Sequence, residues 1–385
     1  MFRKRVLLVL MVAIAVAGLI TAAVCQGTSK APYVIGAIFS VTGDNAPLGV
    51  PERDTVQMLV KQINAKGGVK GRPVKVEFYD DKGDPKEAVQ ACQRLLANKD
   101  VVAIIGPTLS GTSLAIAPAC ESAGMPLVSC AASIKIVSPV RPFVFKTAQS
   151  DSLAVQKLME YVKAKKIKTV AFINDSNAFG QSGREQWQRF AGPAGVKTVA
   201  MESFATADTD MTSQLTKIRA ANPDAVVCWG TNPGPAVVAR DMRRLGMKQP
   251  LLMSHGIANM EFIKLAGSAA EGVVFPAGKL IVANQIPKSD SQRSRLLAYK
   301  NDYQKAYKKA PNTFGGHAWD AFMLVVKALE KSGGNKAKTR EAIENTHNFV
   351  GITGVFYFSP KDHNGLTKNA FAMVTIKNGK WVLAK

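Results

Sequence analysis

The sequence predicts an α/β protein of two lobes, each a parallel-type sheet covered by helices on both faces. Three observations lead there. Short apolar runs alternate with longer amphipathic ones from Tyr33 onward, and such alternation builds parallel sheets. The chain has 385 residues, which at about 150 residues per domain is length for two cores. Hydrophobic residues make up 47% and charged residues 20%, which excludes a disordered tail protein, and no motif recurs at a fixed period as a repeat array requires.

Residues 34–39 open as an apolar strand and are followed by a helix over 50–65 with apolar residues at helical spacing. The strand at 74–79 leads to a helix over 85–97, whose first residue, Pro85, is pre-set for a helix start. The all-apolar run 101–105 precedes a helix over 112–123, and strand 127–129 closes the first unit. The order then repeats from about residue 148, with helices over 152–163, 180–191, 211–220 and 235–245 and strands over 169–173, 196–204, 225–229 and 251–254. The last third adds helices over 291–308, 317–331 and 339–345, then strand-like runs 355–358 and 370–376, the second ending in an Asn378-Gly379 turn. Such a tail has to complete both lobes, so the chain crosses between them more than once. The expected division is 31–148 with 278–354 for the N-terminal lobe and 149–277 with 355–385 for the C-terminal lobe. This describes two Rossmann-like lobes joined by a multi-strand hinge, with a cleft between them.

Arg3, Lys4 and Arg5 precede the uncharged run 6–24, which meets Thr21, Ala22 and Ala23 before Cys25. That is the layout of a secretory signal peptide over residues 1–25. Cleavage after Ala23 satisfies a small-x-small rule; Cys25 is an alternative lipidated N-terminus, although Val24 is bulkier than the residue expected before it. The full run is also about long enough for an uncleaved transmembrane anchor. In each case the folded part is exported, and a periplasmic location is expected. Fifty Lys+Arg against 28 Asp+Glu give a formal charge of +22, which first points to nucleic acid. Export argues against that partner, and clusters such as Lys163, Lys165, Lys166 and Lys168 fall in helix-spaced stretches that read as solvated faces. Cys92, Cys120, Cys130 and Cys228 match no metal or redox spacing. Cys92 and Cys120 lie on successive predicted helices, placed either for a disulfide or as buried thiols.

In open α/β sheets, ligands bind beyond the carboxyl ends of the strands, where helix N-termini present free N–H groups. The strand at 101–105 runs into Gly106-Pro107-Thr108-Leu109-Ser110-Gly111-Thr112-Ser113 and then a helix. Ser110 is placed to cap that helix and Gly111 to let a ligand approach the backbone, which suits a carboxylate; a plain N-cap serine is the competing reading. The next strand ends in Ser129-Cys130-Ala131-Ala132-Ser133, which offers a second set of the same groups. Nucleophile-elbow, phosphate-loop and dinucleotide fingerprints are missing from the sequence. Of the 4 His, none has a second His or Cys at metal-ligand spacing, and no metal or cofactor is expected. Asp80, Asp81 and Asp84 read as solvated turn residues rather than a calcium loop.

Ile63-Asn64-Ala65-Lys66-Gly67-Gly68-Val69-Lys70-Gly71-Arg72, with Asp80-Asp81 and Asp84-Pro85, resembles the N-terminal lobe of branched-chain amino-acid binding proteins. These are Leu/Ile/Val-binding-like, type I periplasmic solute-binding subunits of ABC importers. Ile105-Gly106-Pro107 with Ser110, Asn174-Asp175 with Phe179-Gly180, Ala270-Glu271-Gly272-Val273 and Trp319-Asp320-Ala321 follow in family order. The resemblance implies a monomeric two-lobed receptor that closes on one small-molecule ligand without catalysis and delivers it to an inner-membrane ABC permease. It also implies that Ser110, Ala131 and Ser133 hold a ligand carboxylate, that Leu48 forms an apolar wall and that Asp151 meets an amine or hydroxyl.

The departures concern the ligand. Phe179 stands where a phenol is usual, Thr231 replaces a Tyr, and His255 takes the place of the Glu that pairs with the ligand ammonium. An unpaired buried ammonium costs several kcal/mol. A carboxylate with an apolar or aromatic body therefore competes with an amino acid, packed by Phe179, Leu48 and Phe275 or Trp229, each of which also reads as core. Two other functions stay open at this stage. One is a ligand sensor using the same cleft; the other is an exported hydrolase, which needs His255 or His317 beside Ser110 and an orienting carboxylate.

Overall fold

The computed structural model describes residues 30–384; the expected signal segment, with Cys25, lies outside them. Among the described residues no helix is long and apolar enough to cross a membrane. The first lobe runs β1 (Tyr33–Phe39), α1 (Ala46–Ala65), β2 (Val74–Asp80), α2 (Pro85–Ala97), β3 (Val101–Ile105), α3 (Ser110–Ser122), β4 (Leu127–Ser129) and β5 (Val144–Lys146). Its strands pair in the order β2-β1-β3-β4-β5, and every pairing is parallel. Alternation along β1 sends Ile35, Ala37 and Phe39 to one face and Val34 and Ile38 to the other. The second face is covered by Cys92 and Leu95 of α2 and Ile116 and Cys120 of α3.

The second lobe runs α4 (Asp151–Ala164), β6 (Thr169–Asp175), α5 (Ala178–Ala191), β7 (Lys197–Phe204), α6 (Thr212–Ala220), β8 (Ala225–Trp229), α7 (Gly234–Arg244), β9 (Leu251–Met253), α8 (Met260–Ala266) and β10 (Val274–Gly278). The chain then forms α9 (Arg293–Tyr307), α10 (Thr313–Ser332), α11 (Lys336–Glu344), the short pair β11 (Phe349–Val350) and β12 (Val355–Phe356), and the hairpin β13 (Phe371–Lys377) and β14 (Lys380–Leu383). The second sheet has the order β14-β13-β10-β9-β8-β6-β7, with β13 antiparallel to both neighbours. Phe322, Val325 and Leu329 of α10 return to the first core.

The expected boundary between 354 and 355 moves. Phe356, Phe358 and Leu366 pack in the first core, with Phe358 edge-on to Phe145, so the chain rejoins the second sheet only where β13 begins at Phe371. Hydrogen bonds tie the passages together. Gln149 Nε2 donates to Thr353 O (3.0 Å) and Ala370 O (3.4 Å), and Ser150 Oγ donates to Asn364 Oδ1 (2.7 Å). Beneath them Lys146 is wholly buried and donates to Ala148 O at 2.7 Å; burial pulls its pKa down to about 7.

One smaller expectation is also revised, and of the two readings of the cysteines the structure takes one. Asp81 is buried rather than solvated, accepting from Ser40 Oγ (2.6 Å) and Gly83 N–H (3.0 Å). Cys92, Cys120, Cys130 and Cys228 are all buried free thiols, with the Cys92 and Cys120 sulfurs 3.6 Å apart across the α2–α3 contact.

Candidate ligand-binding cleft

The carboxyl ends of the parallel strands of both sheets face one another across a cavity of about 510 Å³. From the first lobe the lining comprises Asn45 and Leu48 after β1, Gly83 and Pro85 after β2, Thr108–Thr112 after β3, Cys130–Ala132 after β4 and Ala148 after β5. Across the gap stand Asn177–Phe179 after β6, Thr206 after β7, Thr231 after β8 and His255–Gly256 after β9, with Phe314 and His317 of α10 completing the wall. Glycines permit the close packing of the second lobe's rim. A Cβ on Gly180 would overlap the Asp175 carbonyl, and one on Gly183 would overlap the Trp229 indole.

Ser110 lines the cavity, but it does not cap α3. The cap position falls on Leu109, which makes no side-chain cap bond, and Ser110 begins the helix. The first intrahelical bond runs from Ser113 N–H to Leu109 O (2.9 Å), so the N–H groups of Ser110, Gly111 and Thr112 lie outside the helical ladder. Ser110 Oγ accepts from Ser133 N–H at 3.2 Å, and its own O–H remains to donate. Ala131 also lines the cavity, although its N–H is engaged by Ser129 Oγ at 3.1 Å.

Ser133 and Asp151 stand behind the wall rather than in it. The Ser133 hydroxyl donates across the gap to Ser182 Oγ (2.8 Å) and accepts from Lys135 N–H, so it joins the lobes. Asp151 Oδ1 accepts from Ile134 and Ser152 N–H, and burial raises its pKa. Two other buried carboxyls sit behind lining residues. Glu52 accepts from Thr108 Oγ1 (2.5 Å), and Asp175 accepts from Asn177 N–H and Thr206 Oγ1. Burial raises the pKa of both, and no Asp or Glu belongs to the lining itself.

Leu48, Phe179, Thr231 and His255 all line the cavity. Phe179 and His255 meet edge to face at 5.4 Å, and Trp229 lies behind them, 5.9 Å from Phe179 and 6.1 Å from His255. Trp229 therefore supports the wall without forming it. Phe275 is remote from the site: it packs in the second core against Trp381. Ser254 holds the His255 turn in place, accepting from Gly256 N–H and donating to Gly230 O at 3.0 Å.

His317 and Phe314 were not expected in a binding wall. The expected helix starts at His317, but α10 starts at Thr313, because Asn312 caps it by accepting from Gly315 N–H. The Asn312-Thr313 pair is the sequence signal for that start. This places Phe314 and His317 on the helix end that faces the cleft. Burial pushes both His255 and His317 down to about 3, with Lys146 adding to the cost of charging either ring. Both ring nitrogens of His255 and Nδ1 of His317 lack a hydrogen-bond partner. No hydrogen bond joins either ring to Ser110 or to a carboxylate. Among the described residues no cluster of three or more His, Cys, Asp or Glu could hold a metal ion.

A family model of periplasmic binding proteins matches residues 32–380. The Leu/Ile/Val-binding protein BraC3 of Rhizobium johnstonii is 26% identical over 364 residues, which span 93% of this chain and 95% of that protein. Among solved structures, an extracellular ligand-binding receptor from Rhodopseudomonas palustris HaA2 is similar with a TM-score of 0.87 at 28% identity, over 92% of this chain and 100% of that one. The branched-chain amino acid transporter substrate binding protein LivJ from Streptococcus pneumoniae, in complex with isoleucine, is similar with a TM-score of 0.81 at 26% identity, over 91% and 97%.

Proposed function

The chain belongs to the periplasmic binding protein family, and from that premise we propose that it is the extracytoplasmic solute-binding component of an ABC importer. It closes its lobes on a small carboxylate with an apolar body and presents the closed form to an inner-membrane permease. One observation carries the ligand class: the N-terminal ends of α1, α3, α5 and α10 converge on a cavity whose lining holds no carboxylate. α3, α5 and α10 each begin with N–H groups outside the helical ladder, whereas those of α1 are taken by Gly43 O and Asn45 O; all four ends point the positive end of a dipole at the cavity, so an anion is stabilised there. An ammonium would have no countercharge in the wall.

Ser110, the first turn of α3 and the Ala131 loop bind the carboxylate; Leu48, Phe179 and Phe314 cover the apolar body, and Thr231 and His255 engage the ligand from the second lobe. Closure is a population shift favoured by ligand contacts to both lobes, assisted by the Ser133–Ser182 bond and the Lys135–Glu185 ion pair at 2.6 Å. Water excluded on closure strengthens each polar contact inside.

A second reading, an α-amino acid ligand, is favoured by the names of relatives such as BraC3 and by the isoleucine in the LivJ complex. A thermal-shift panel separates the two, because a ligand that binds the native state raises its melting midpoint. Aliphatic and aromatic monocarboxylates are expected to stabilise the protein. Stabilisation by leucine, isoleucine and valine alone would establish the second reading.

A further inference from the structure

His255 and His317 are brought to the cavity by different lobes. His255 follows β9 of the second lobe, and His317 lies in the first turns of α10, whose apolar face packs in the first core. Both side chains are more than nine-tenths buried, with residue exposures of 6% and 4%. Three of their ring nitrogens have no partner. A neutral imidazole carries one N–H donor and one acceptor nitrogen, and leaving such groups unpaired in a closed site is costly. The Gln149 backbone is the polar group that bears on the His255 ring, and it falls short of a hydrogen bond; otherwise the rings face aromatic neighbours. His255 is boxed edge to face by Phe179 and Phe371, each at 5.4 Å, and His317 by Phe314 at 5.7 Å. Lys146 of β5, the charged group that bears on both rings, is committed to Ala148 O and Ser150 Oγ. Asp151 and Asp362 act on Lys146 rather than on the imidazoles. No hydrogen bond links either ring to the Ser110 loop, so the histidines do not serve the carboxylate subsite.

We propose that His255 and His317 form a second polar subsite that receives an oxygen acceptor carried by the ligand away from its carboxylate. The inference rests on the carboxylate reading above and narrows it. The ligand is a bifunctional acid, with a carboxylate on the Ser110 side and a hydroxyl, carbonyl or second carboxylate between the imidazoles. Because each imidazole belongs to a different lobe, this second oxygen bridges the cleft, and it discriminates among ligands at the step of closure.

The test is calorimetric titration of the full mature protein with matched pairs that differ by the second oxygen: phenylacetate against 4-hydroxyphenylacetate, and hexanoate against adipate. In at least one pair the bifunctional member should bind about tenfold more tightly or better, the gain expected for pairing buried polar groups. In His255→Phe and His317→Phe the ratio of affinities within that pair should fall to about one, whatever the change in the monofunctional member's own affinity. Two variants are used so that failure of one to fold leaves the other as the readout. Binding of the monocarboxylates with no gain from the second oxygen in either pair would overturn this inference and leave the carboxylate reading intact. A gain that survives in both variants would overturn it as well. Binding of neither member of any pair would sink the carboxylate reading, and this inference with it.

Discussion

Acidifying the ligand-free protein from about pH 7 to about pH 5 should cost about 2 kcal/mol of stability for each of the two cleft histidines. Burial holds both rings at about 3, against about 6.5 for a histidine in an unfolded chain. With the folded pKa depressed, the unfolded state takes up its proton first. The contribution is therefore intact above about pH 6.5 and is lost as pH falls toward 3. At about pH 5 the unfolded ring is charged and the buried ring is not; about 1.5 pH units at 1.36 kcal/mol each gives about 2 kcal/mol. Asp320, raised to about 7, and Asp81, Asp151 and Asp175, also raised, bind protons preferentially in the folded state and push in the opposite direction. The effect is therefore read as a difference between wild type and His255→Phe or His317→Phe. Urea unfolding followed by circular dichroism at both pH values supplies it. A variant whose stability falls in parallel with wild type, to within about 0.5 kcal/mol, would show that the ring is not held neutral by burial and would refute the electrostatic picture of the cleft.

Two further outcomes follow from the geometry. Ser110→Ala removes a hydroxyl from the wall and leaves the buried Ser133 N–H without its acceptor. Affinity for a bound carboxylate should drop by about 1–3 kcal/mol, measured by calorimetry, and unchanged affinity would remove Ser110 from the site. The Cys92 and Cys120 sulfurs are 3.6 Å apart, so a disulfide oxidant such as oxidised glutathione, itself reduced to the thiol, should take the two thiol hydrogens and join them. Peptide mapping should find that pair alone, with Cys130 and Cys228 still reduced; a full complement of free thiols after oxidation would contradict it.

The layered fold was legible because β1, β3 and β8 are short apolar strands set between helices with an apolar stripe, and their ends marked the cleft. What the sequence hid has physical causes. β5 is three residues long and follows the proline-bearing stretch of Pro139 and Pro142. β10 carries Pro276, which speaks against an internal strand, although its neighbour β13 pairs with it throughout. The run after residue 355 reads as a strand for either lobe, and only packing assigns Phe356 and Phe358 to the first core.

At the site, topology points to the loops bearing Ser110 and Ala131, while Leu48, Phe179, Thr231 and His255 come from the family resemblance; all six line the cavity. Ser133 and Asp151 lie one layer back because Ser133 turns to Ser182, and Asp151 to the backbone of Ile134 and Ser152. The sequence suggests His317 only for the hydrolase alternative and not as a binding residue, because helical spacing describes a face and says nothing of a helix end aimed into a cleft.

The most direct measurement compares leucine with 4-methylpentanoate, the same skeleton without its amine, by calorimetric titration of the purified protein. A wall of helix ends and neutral imidazoles with no carboxylate predicts that the amine-free acid binds more tightly, by about a hundredfold for an uncompensated ammonium. Tighter binding of leucine would show that a buried carboxylate such as Asp175 or Asp151 reaches the ligand, and would contradict the account.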